Sequence, residues 1–145
     1  MSFQEFDRLC IQKMRMWGIP LLRVSLGIVF LWFGGLKIFG ASPVTDLIAK
    51  TYSFFPVGIF VMILGIWEVA IGIGLIFKLL LRTTLALLWL QMAGTLFAVV
   101  FSPNLFFNNG NPLLLTAFGE FVVKNFVLIA AGIVIGGHEV EPVKD

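Results

Sequence analysis

The stretch TAFGEFVVKNFVLIAAGIVIGG, residues 116–137, is long and apolar enough to cross a lipid bilayer, yet it carries Glu120 and Lys124 four residues apart. About 20 helical residues span the hydrocarbon core of a membrane, which is roughly 30 Å thick. Charged side chains inside such a segment are costly and usually face the interior of a bundle or a partner charge. The stretch therefore predicts a membrane helix with one charged face turned toward other helices.

The composition of the whole chain agrees with a membrane protein. Its 145 residues are 59% hydrophobic and 12% charged, whereas soluble domains average about 45–50% and about 25%. Unbroken apolar runs are typical of membrane helices, since strands in lipid must close into barrels with alternating patterns. We predict an all-α fold, a four-helix transmembrane bundle in a single domain over residues 1–145, with no nucleic-acid partner. The predicted spans are residues 19–39, 57–77, 83–101 and 112–137.

Two amphipathic pieces flank the first span. In ASPVTDLIAKTYSFFP, residues 41–56, Ser42 and Pro43 are typical of a helix start, and Asp46 precedes Lys50 by four residues. This pattern predicts a short interfacial helix between the first two spans, with Val44, Leu47, Ile48 and Tyr52 on its apolar face. Near the amino terminus, apolar residues also recur at helical spacing, which indicates either a surface anchor or a frayed polar tail; they are Phe3, Phe6, Cys10, Met14 and Trp17.

Basic residues are unevenly divided between the two ends of the predicted spans. Lys37 and Lys50 fall at one end, and seven basic residues fall at the other, namely Arg8, Lys13, Arg15, Arg23, Lys78, Arg82 and Lys144. The positive-inside rule therefore predicts that both termini are cytoplasmic. The short connection over residues 77–82 predicts an antiparallel hairpin of the second and third helices.

The first span has one face with charged ends. Arg23 and Lys37 are fourteen residues apart, so at about 100° per residue they point within about 40° of each other. Gly27, Phe30 and Gly34 fall on the same stripe. Two interpretations of Arg23 stay open: it belongs to the polar face, or its side chain extends to lipid headgroups.

Depth along the spans predicts how the intramembrane charges pair. Glu68 lies near the middle of the second span, at the depth of Lys124, whereas Lys37 and Glu120 lie in the outer half. We therefore expect Lys37 to pair with Glu120 and Glu68 to pair with Lys124, which makes a polar intramembrane cluster of these four residues. Such a cluster forms a ligand pocket or proton path, or it is an electrostatic clamp between helices.

Metal and thiol chemistry have little support in the sequence. The lone Cys10 allows no disulfide or CxxC pair, and the lone His138 allows no two-histidine haem site. We predict no metal site and no covalently bound cofactor. Trp32, Trp67 and Trp89 lie inside spans, where they line a pocket for a flat ligand such as a quinone or pack in the core; Trp67 is thus a further candidate site residue.

Three segments resemble the DoxX family of small four-helix membrane proteins. They are RVSLGIVFLWFGGLKIFG at residues 23–40, GIWEVAIGIGL with Glu68 at residues 65–75, and GEFVVKNFVLIAAGIVIGG at residues 119–137. The resemblance implies a bacterial inner-membrane subunit or accessory protein of a redox or respiratory assembly, linked to oxidative stress and associated with quinone. Relatives that use a CxxC pair are not the right comparison, since this chain lacks one.

Two other functions remain open for the same residues. The charges would also suit a small proton-coupled transporter, which would have to form a homo-oligomer because four helices leave little room for a water path. The third alternative is a purely structural subunit that binds other membrane subunits. Whether the chain is an enzyme is undecided by the sequence.

Overall fold

The structure is a computed structural model that describes residues 2–51 and 56–143. Helices account for nearly all of the regular structure in these ranges, and four of the helical segments are long and apolar enough to cross a membrane. The predicted all-α four-helix bundle is therefore confirmed, and the chain is a multi-pass membrane protein. The helices are α1 Phe3–Ile38, α2 Thr45–Thr51, α3 Val57–Ile76, α4 Leu81–Phe101, α5 Pro103–Phe106, α6 Ala117–Val123 and α7 Asn125–Glu139.

Helix α1 is longer than the predicted span over residues 19–39. It begins with a capping box in which the Ser2 hydroxyl accepts a hydrogen bond from the Glu5 amide at 3.3 Å, and the Glu5 carboxylate accepts one from the Ser2 amide at 2.7 Å. At 1.5 Å per residue its 36 residues extend about 54 Å, well beyond the roughly 30 Å of a bilayer core. The amino-terminal piece is thus a helix continuous with the first span, and the frayed-tail alternative is wrong.

Helices α1 and α3 pack antiparallel through pairs of glycines. Gly34 faces Gly65, and Gly27 faces Gly72, so each helix contributes two glycines seven residues apart. A Cβ atom added at Gly34 would lie 2.6 Å from the carbonyl oxygen of Gly65, and one at Gly72 would lie 2.6 Å from the amide of Leu31. The two backbones are therefore in contact at these glycines, and any larger residue there would separate the helices. Close contact through small residues is a common way for membrane helices to associate.

A tight turn joins α3 to α4. Lys78 and Leu80 adopt positive φ values of 57° and 41° in this turn. The Leu79 amide donates to the Gly74 carbonyl at 2.9 Å, and the Thr84 hydroxyl donates to the Leu79 carbonyl at 3.0 Å. These bonds close the turn between the two packed helices. The predicted hairpin is thus confirmed, with α4 beginning at Leu81 and not at residue 83.

The connection between the third and fourth spans folds back on itself. It contains α5, a 3-10 helix at Asn108–Gly110, and a single antiparallel bridge between Phe107 and Leu115. Asn109 and Gly110 have positive φ values of 53° and 71°, a conformation that Asn and Gly adopt readily in tight turns. Because the chain stays irregular up to Thr116, the fourth span begins at Ala117 and not at residue 112.

The fourth span consists of two helices. Thr116 caps α6 by accepting a hydrogen bond from the Gly119 amide at 3.1 Å. Helix α6 ends at Val123, and α7 runs over Asn125–Glu139, with Lys124 between them in a helical backbone conformation. Together they form one segment long enough to cross a membrane, so the predicted start of this span at residue 112 is wrong but the prediction of a fourth span is confirmed.

Apolar residues fill the bundle and also cover its outside. One buried cluster joins the four spans and includes Ile71, Leu75, Leu88 and Ile135, each with no exposed surface. A smaller one lies around Phe106, where α2, α4, α5 and α6 meet. Large exposed apolar side chains surround the spans, which indicates a lipid bilayer environment; they include Ile28, Leu31, Trp32, Ile63, Ile66, Leu90, Phe126 and Val127.

Helix α2 confirms the short helix predicted between the first two spans. Leu47 on its inner face is buried, and Asp46 and Lys50 lie in its first and last turns. Tyr52, which was expected on the same face, lies outside the described residues. The location of α2 at the membrane interface and the single domain over residues 1–145 stay predictions.

Candidate functional site

A buried ion pair joins the two glycine-packed helices. The Nζ atom of Lys37 on α1 lies 2.7 Å from Oε2 of Glu68 on α3, and each residue is only 7% exposed. The pair is adjacent to the contact between Gly34 and Gly65: a Cβ at Gly34 would lie 2.9 Å from the Cβ of Glu68. The close approach of the helices thus brings the two charges together. The predicted face of α1 is confirmed, since Gly27, Phe30, Gly34 and Lys37 are among its buried residues.

The expected pairing of the charges is wrong. Lys37 pairs with Glu68, not with Glu120, and Glu68 does not pair with Lys124. Glu120 and Lys124 are both exposed, and neither takes part in an ion pair with any residue that the structure describes. The helical turn between the two residues is intact, since the Lys124 amide donates to the Glu120 carbonyl at 3.3 Å. The error lies in the face of the fourth span that was expected to turn toward the bundle, because both side chains are exposed.

Gln91 on α4 completes the polar group. Its Nε2 atom donates a hydrogen bond to Oε1 of Glu68, so both oxygens of the carboxylate have a partner. Gln91 was not predicted as a site residue from the sequence. A signal was present, because Gln91 is a carboxamide in the middle of the mostly apolar third span, and polar side chains at such positions commonly bond across helices. We call Lys37, Glu68 and Gln91 the polar triad.

The polar triad lines a cavity of about 490 Å³. This volume lies within the roughly 300–1,000 Å³ of small-molecule sites, and the apolar lining with a few polar groups is also typical of them. All four spans and α2 contribute to its wall. Besides the triad, the lining residues include Phe30, Phe33, Leu47, Ile48, Phe60, Leu64, Trp67, Thr95, Phe121, Lys124, Asn125 and Leu128.

Three of the four predicted cluster residues therefore meet at one cavity. Lys37 and Glu68 form its buried ion pair, and Lys124 of the fourth span lies in its wall. Glu120 is not among the lining residues. The cavity thus has a buried, balanced pair and one additional exposed cation.

The tryptophans divide between the cavity and the lipid-facing surface. Trp67 lines the cavity, and its Nε1 atom donates to the Leu87 carbonyl at 3.2 Å. Trp32 is 67% exposed and Trp89 is 40% exposed, and neither lines the cavity. The interpretation of Trp32 as a core residue is therefore wrong.

Two buried amide atoms at the cavity lack a hydrogen-bond partner within the described ranges. They are Oε1 of Gln91 and Nδ2 of Asn125. Asn125 is only 4% exposed and is the first residue of α7. Buried polar groups are nearly always hydrogen-bonded, so each such atom needs an explanation.

A second charged cluster lies at the other end of the bundle, away from the cavity. Arg23 Nε is 2.6 Å from Glu139 Oε2, and Lys78 Nζ is 3.7 Å from Glu139 Oε1. Arg23 Nη1 also donates to the carbonyls of Leu75 and Ile76, with a donor–acceptor distance of 3.0 Å to Ile76. Arg23 therefore neutralises the carbonyl end of α3 and does not extend to headgroups. It is not among the cavity residues.

Within residues 2–51 and 56–143, no three His, Cys, Asp or Glu side chains lie close enough to hold a metal ion. The absence of a covalently bound or metal-bound cofactor stays a prediction. The lining of the cavity is suited to a non-covalent ligand.

No protein-family model, no curated protein and no solved structure matches this chain. The resemblance to the DoxX family therefore stays a prediction from the sequence segments. The fold and the site define the chain as a multi-pass helical membrane protein with a polar triad at an intramembrane cavity.

Proposed function

We propose that the protein is a DoxX-like accessory subunit of a bacterial inner-membrane redox or respiratory assembly, and that it binds a quinone-class ligand in its cavity. The observation that carries the proposal is the position of the polar triad in the wall of an otherwise apolar and aromatic cavity of about 490 Å³. An apolar body with a polar headgroup is the ligand that such a wall accommodates.

Burial of the ion pair supports a role beyond clamping. Two charges taken out of water are costly, and replacing a buried pair with apolar residues is often neutral or stabilising. Helices α1 and α3 already associate through their four paired glycines. An electrostatic clamp would therefore add little to the stability of the contact between α1 and α3. A ligand site, by contrast, requires polar groups at this depth.

The orientation of the chain is part of the proposal. Arg23, Lys78 and Arg82 lie toward the same end of the bundle, where Arg23 contacts Glu139 and Arg82 Nη2 donates to the Glu141 carbonyl at 2.7 Å. The positive-inside rule favours the cytoplasm for this end and hence for both termini. The cavity, with Lys37 and α2, would then lie in the outer half of the membrane.

The transporter alternative has less support from the packing. The end of the bundle away from the cavity contains Leu75, Leu88 and Ile135, which have no exposed surface. A proton or solute path through one copy would have to pass this packed core, so transport would require an oligomer. The structural-subunit alternative predicts instead that the cavity binds no specific ligand.

Ligand binding tests the proposal directly. Calorimetric titration of the protein in nanodiscs with a short-chain quinone analogue should give saturable binding. Glu68→Gln should weaken it at least tenfold, because the variant loses the charge that holds Lys37 and Gln91 in place. Glu120→Gln is the matched control and should bind as the unmodified chain does, since Glu120 does not line the cavity.

Failure of the unmodified protein to bind any quinone or quinol would overturn the proposed ligand class. The proposed assembly is tested separately by purification from the native membrane in a mild detergent. Stoichiometric recovery of a redox or respiratory subunit is the expected result, and recovery of this chain alone would contradict the accessory role.

A further inference from the structure

The two unpartnered amide atoms place different demands on a ligand. Oε1 of Gln91 is a hydrogen-bond acceptor, and Nδ2 of Asn125 is a donor. They come from α4 and α7, and both residues line the same cavity. A ligand that satisfies both must therefore offer a donor and an acceptor.

The polar triad fixes which atom of Gln91 is available. A carboxylate accepts hydrogen bonds only, so the amide group of Gln91 must turn Nε2 toward Glu68. Lys37 in turn holds the other carboxylate oxygen, with 2.7 Å between Nζ and Oε2. The ion pair thus acts as a positioning device that leaves the acceptor of Gln91 unpaired.

Asn125 places a carboxamide of the fourth span at the cavity. Helix α6 ends at Val123 and α7 begins at Asn125, and Lys124 between them also lines the cavity. Asn125 is only 4% exposed. Its side chain is thus the buried polar group that the fourth span contributes to the cavity wall.

We infer that the cavity prefers the reduced, hydroxyl-bearing quinol over the oxidised quinone, an inference that rests on the proposed function. Lys37 and Asn125 offer donors that serve either form. Only a hydroxyl also donates a hydrogen to Oε1 of Gln91, whereas a quinone carbonyl leaves that acceptor unpaired in a buried place. A ligand without a hydroxyl leaves the buried Oε1 of Gln91 without a hydrogen bond, and such an unpaired group strongly lowers the affinity for that ligand.

The test compares one short-chain quinone analogue with its own quinol, since the two differ only in the headgroup. Both are titrated anaerobically into the full chain in nanodiscs. We expect the quinol to bind at least tenfold more tightly. Because the reduced form is bound preferentially, the midpoint potential of the bound couple should rise, by about 30 mV for each tenfold preference in this two-electron couple.

Variants assign the preference to Gln91. Gln91→Met removes the acceptor, so quinol binding should weaken at least tenfold while quinone binding changes little, and the preference should disappear. Asn125→Leu removes a donor and should weaken both forms. Gln12→Met, an exposed glutamine on the amino-terminal part of α1, is the matched control and should leave both affinities unchanged.

The outcomes distinguish this inference from the proposed function. Equal affinities, or tighter binding of the quinone, would overturn the quinol preference and leave quinone-class binding intact. Absence of binding by both forms would overturn the proposed ligand class itself. The ratio of quinol affinity to quinone affinity, measured on the unmodified protein, tests the quinol preference even if a variant fails to fold.

Discussion

The two charged clusters of this protein have similar composition but differ in what surrounds them. At one end Arg23 and Lys78 meet Glu139, and Nη1 of Arg23 donates to backbone carbonyls at the end of α3. At the other end Lys37 and Glu68 are equally close, yet the group around them borders a cavity and includes unpartnered amide atoms.

This difference shows that an acid–base pair in a membrane span is a weak indicator of function by itself. The charged groups of the Arg23 cluster contact one another and the end of α3, and they do not line the cavity, so packing explains them. The polar triad has an unpartnered amide atom next to a space of ligand size. That adjacent space, and not charge, is what distinguishes the candidate site from the structural cluster.

The largest effect is expected from breaking the buried pair. Lys37→Met leaves the Glu68 carboxylate without its counter-charge and should lower the free energy of unfolding by about 3–5 kcal/mol. The double variant Lys37→Met with Glu68→Leu should recover most of this loss but not ligand binding. Thermal unfolding in detergent and quinone titration measure the two effects.

Lys124→Met is the control for this pair, because Lys124 is exposed and has no ion-pair partner among the described residues. Its stability should change by less than about 0.5 kcal/mol. A stability loss at Lys124 as large as that at Lys37 would show that the pairing in the structure is wrong.

An intermediate effect is expected where the glycine contact supports the polar triad. Gly34→Val would place a side chain 2.6 Å from the Gly65 carbonyl oxygen, and the resulting overpacking should cost about 1–3 kcal/mol. It should also weaken ligand binding, since Lys37 and Glu68 would move apart. Gly35→Val is the neighbouring control, as a Cβ at Gly35 meets no atom within 4 Å.

The smallest effect is expected at the opposite cluster. Arg23→Met removes the contacts with Glu139 and with the carbonyl end of α3. Because these groups lie nearer the end of the bundle, the free energy of unfolding should fall by only about 1–2 kcal/mol. Quinone affinity should not change. An equal loss of affinity in Arg23→Met and Gln91→Met would remove the distinction between the two clusters.

Much of the fold follows from simple sequence patterns. Run lengths predicted the four spans, and angular position predicted the buried stripe of Gly27, Phe30, Gly34 and Lys37. Both patterns depend on regular helix geometry, which α1 and α3 maintain. In the fourth span the turn between Glu120 and Lys124 is helical as well, but both side chains are exposed, so the charged face that was expected to turn inward lies outside.

The candidate site was only partly predictable for a different reason. Depth counting ignores how near two helices approach, and the contact between Gly34 and Gly65 brings Lys37 to Glu68 instead of to Glu120. Gln91 and Asn125 carry no charge, so a search for ionisable residues passed over them. Their importance depends on which atoms remain unpaired after folding, and that is a property of the packed structure.

The separation of Lys37 from Glu68 along the chain has a consequence for biosynthesis. The two residues are 31 positions apart, so at about 5–20 residues per second Lys37 leaves the ribosome roughly 2–6 s before Glu68 does. During this interval the first span carries a cation that has no counter-charge. Lys37 lies in the last turn of α1, where a long side chain reaches the headgroups. Nascent chains stalled with Lys37 outside the ribosome and Glu68 still inside it should therefore leave Lys37 open to an amine-reactive reagent, and chains stalled after α3 has emerged should protect it.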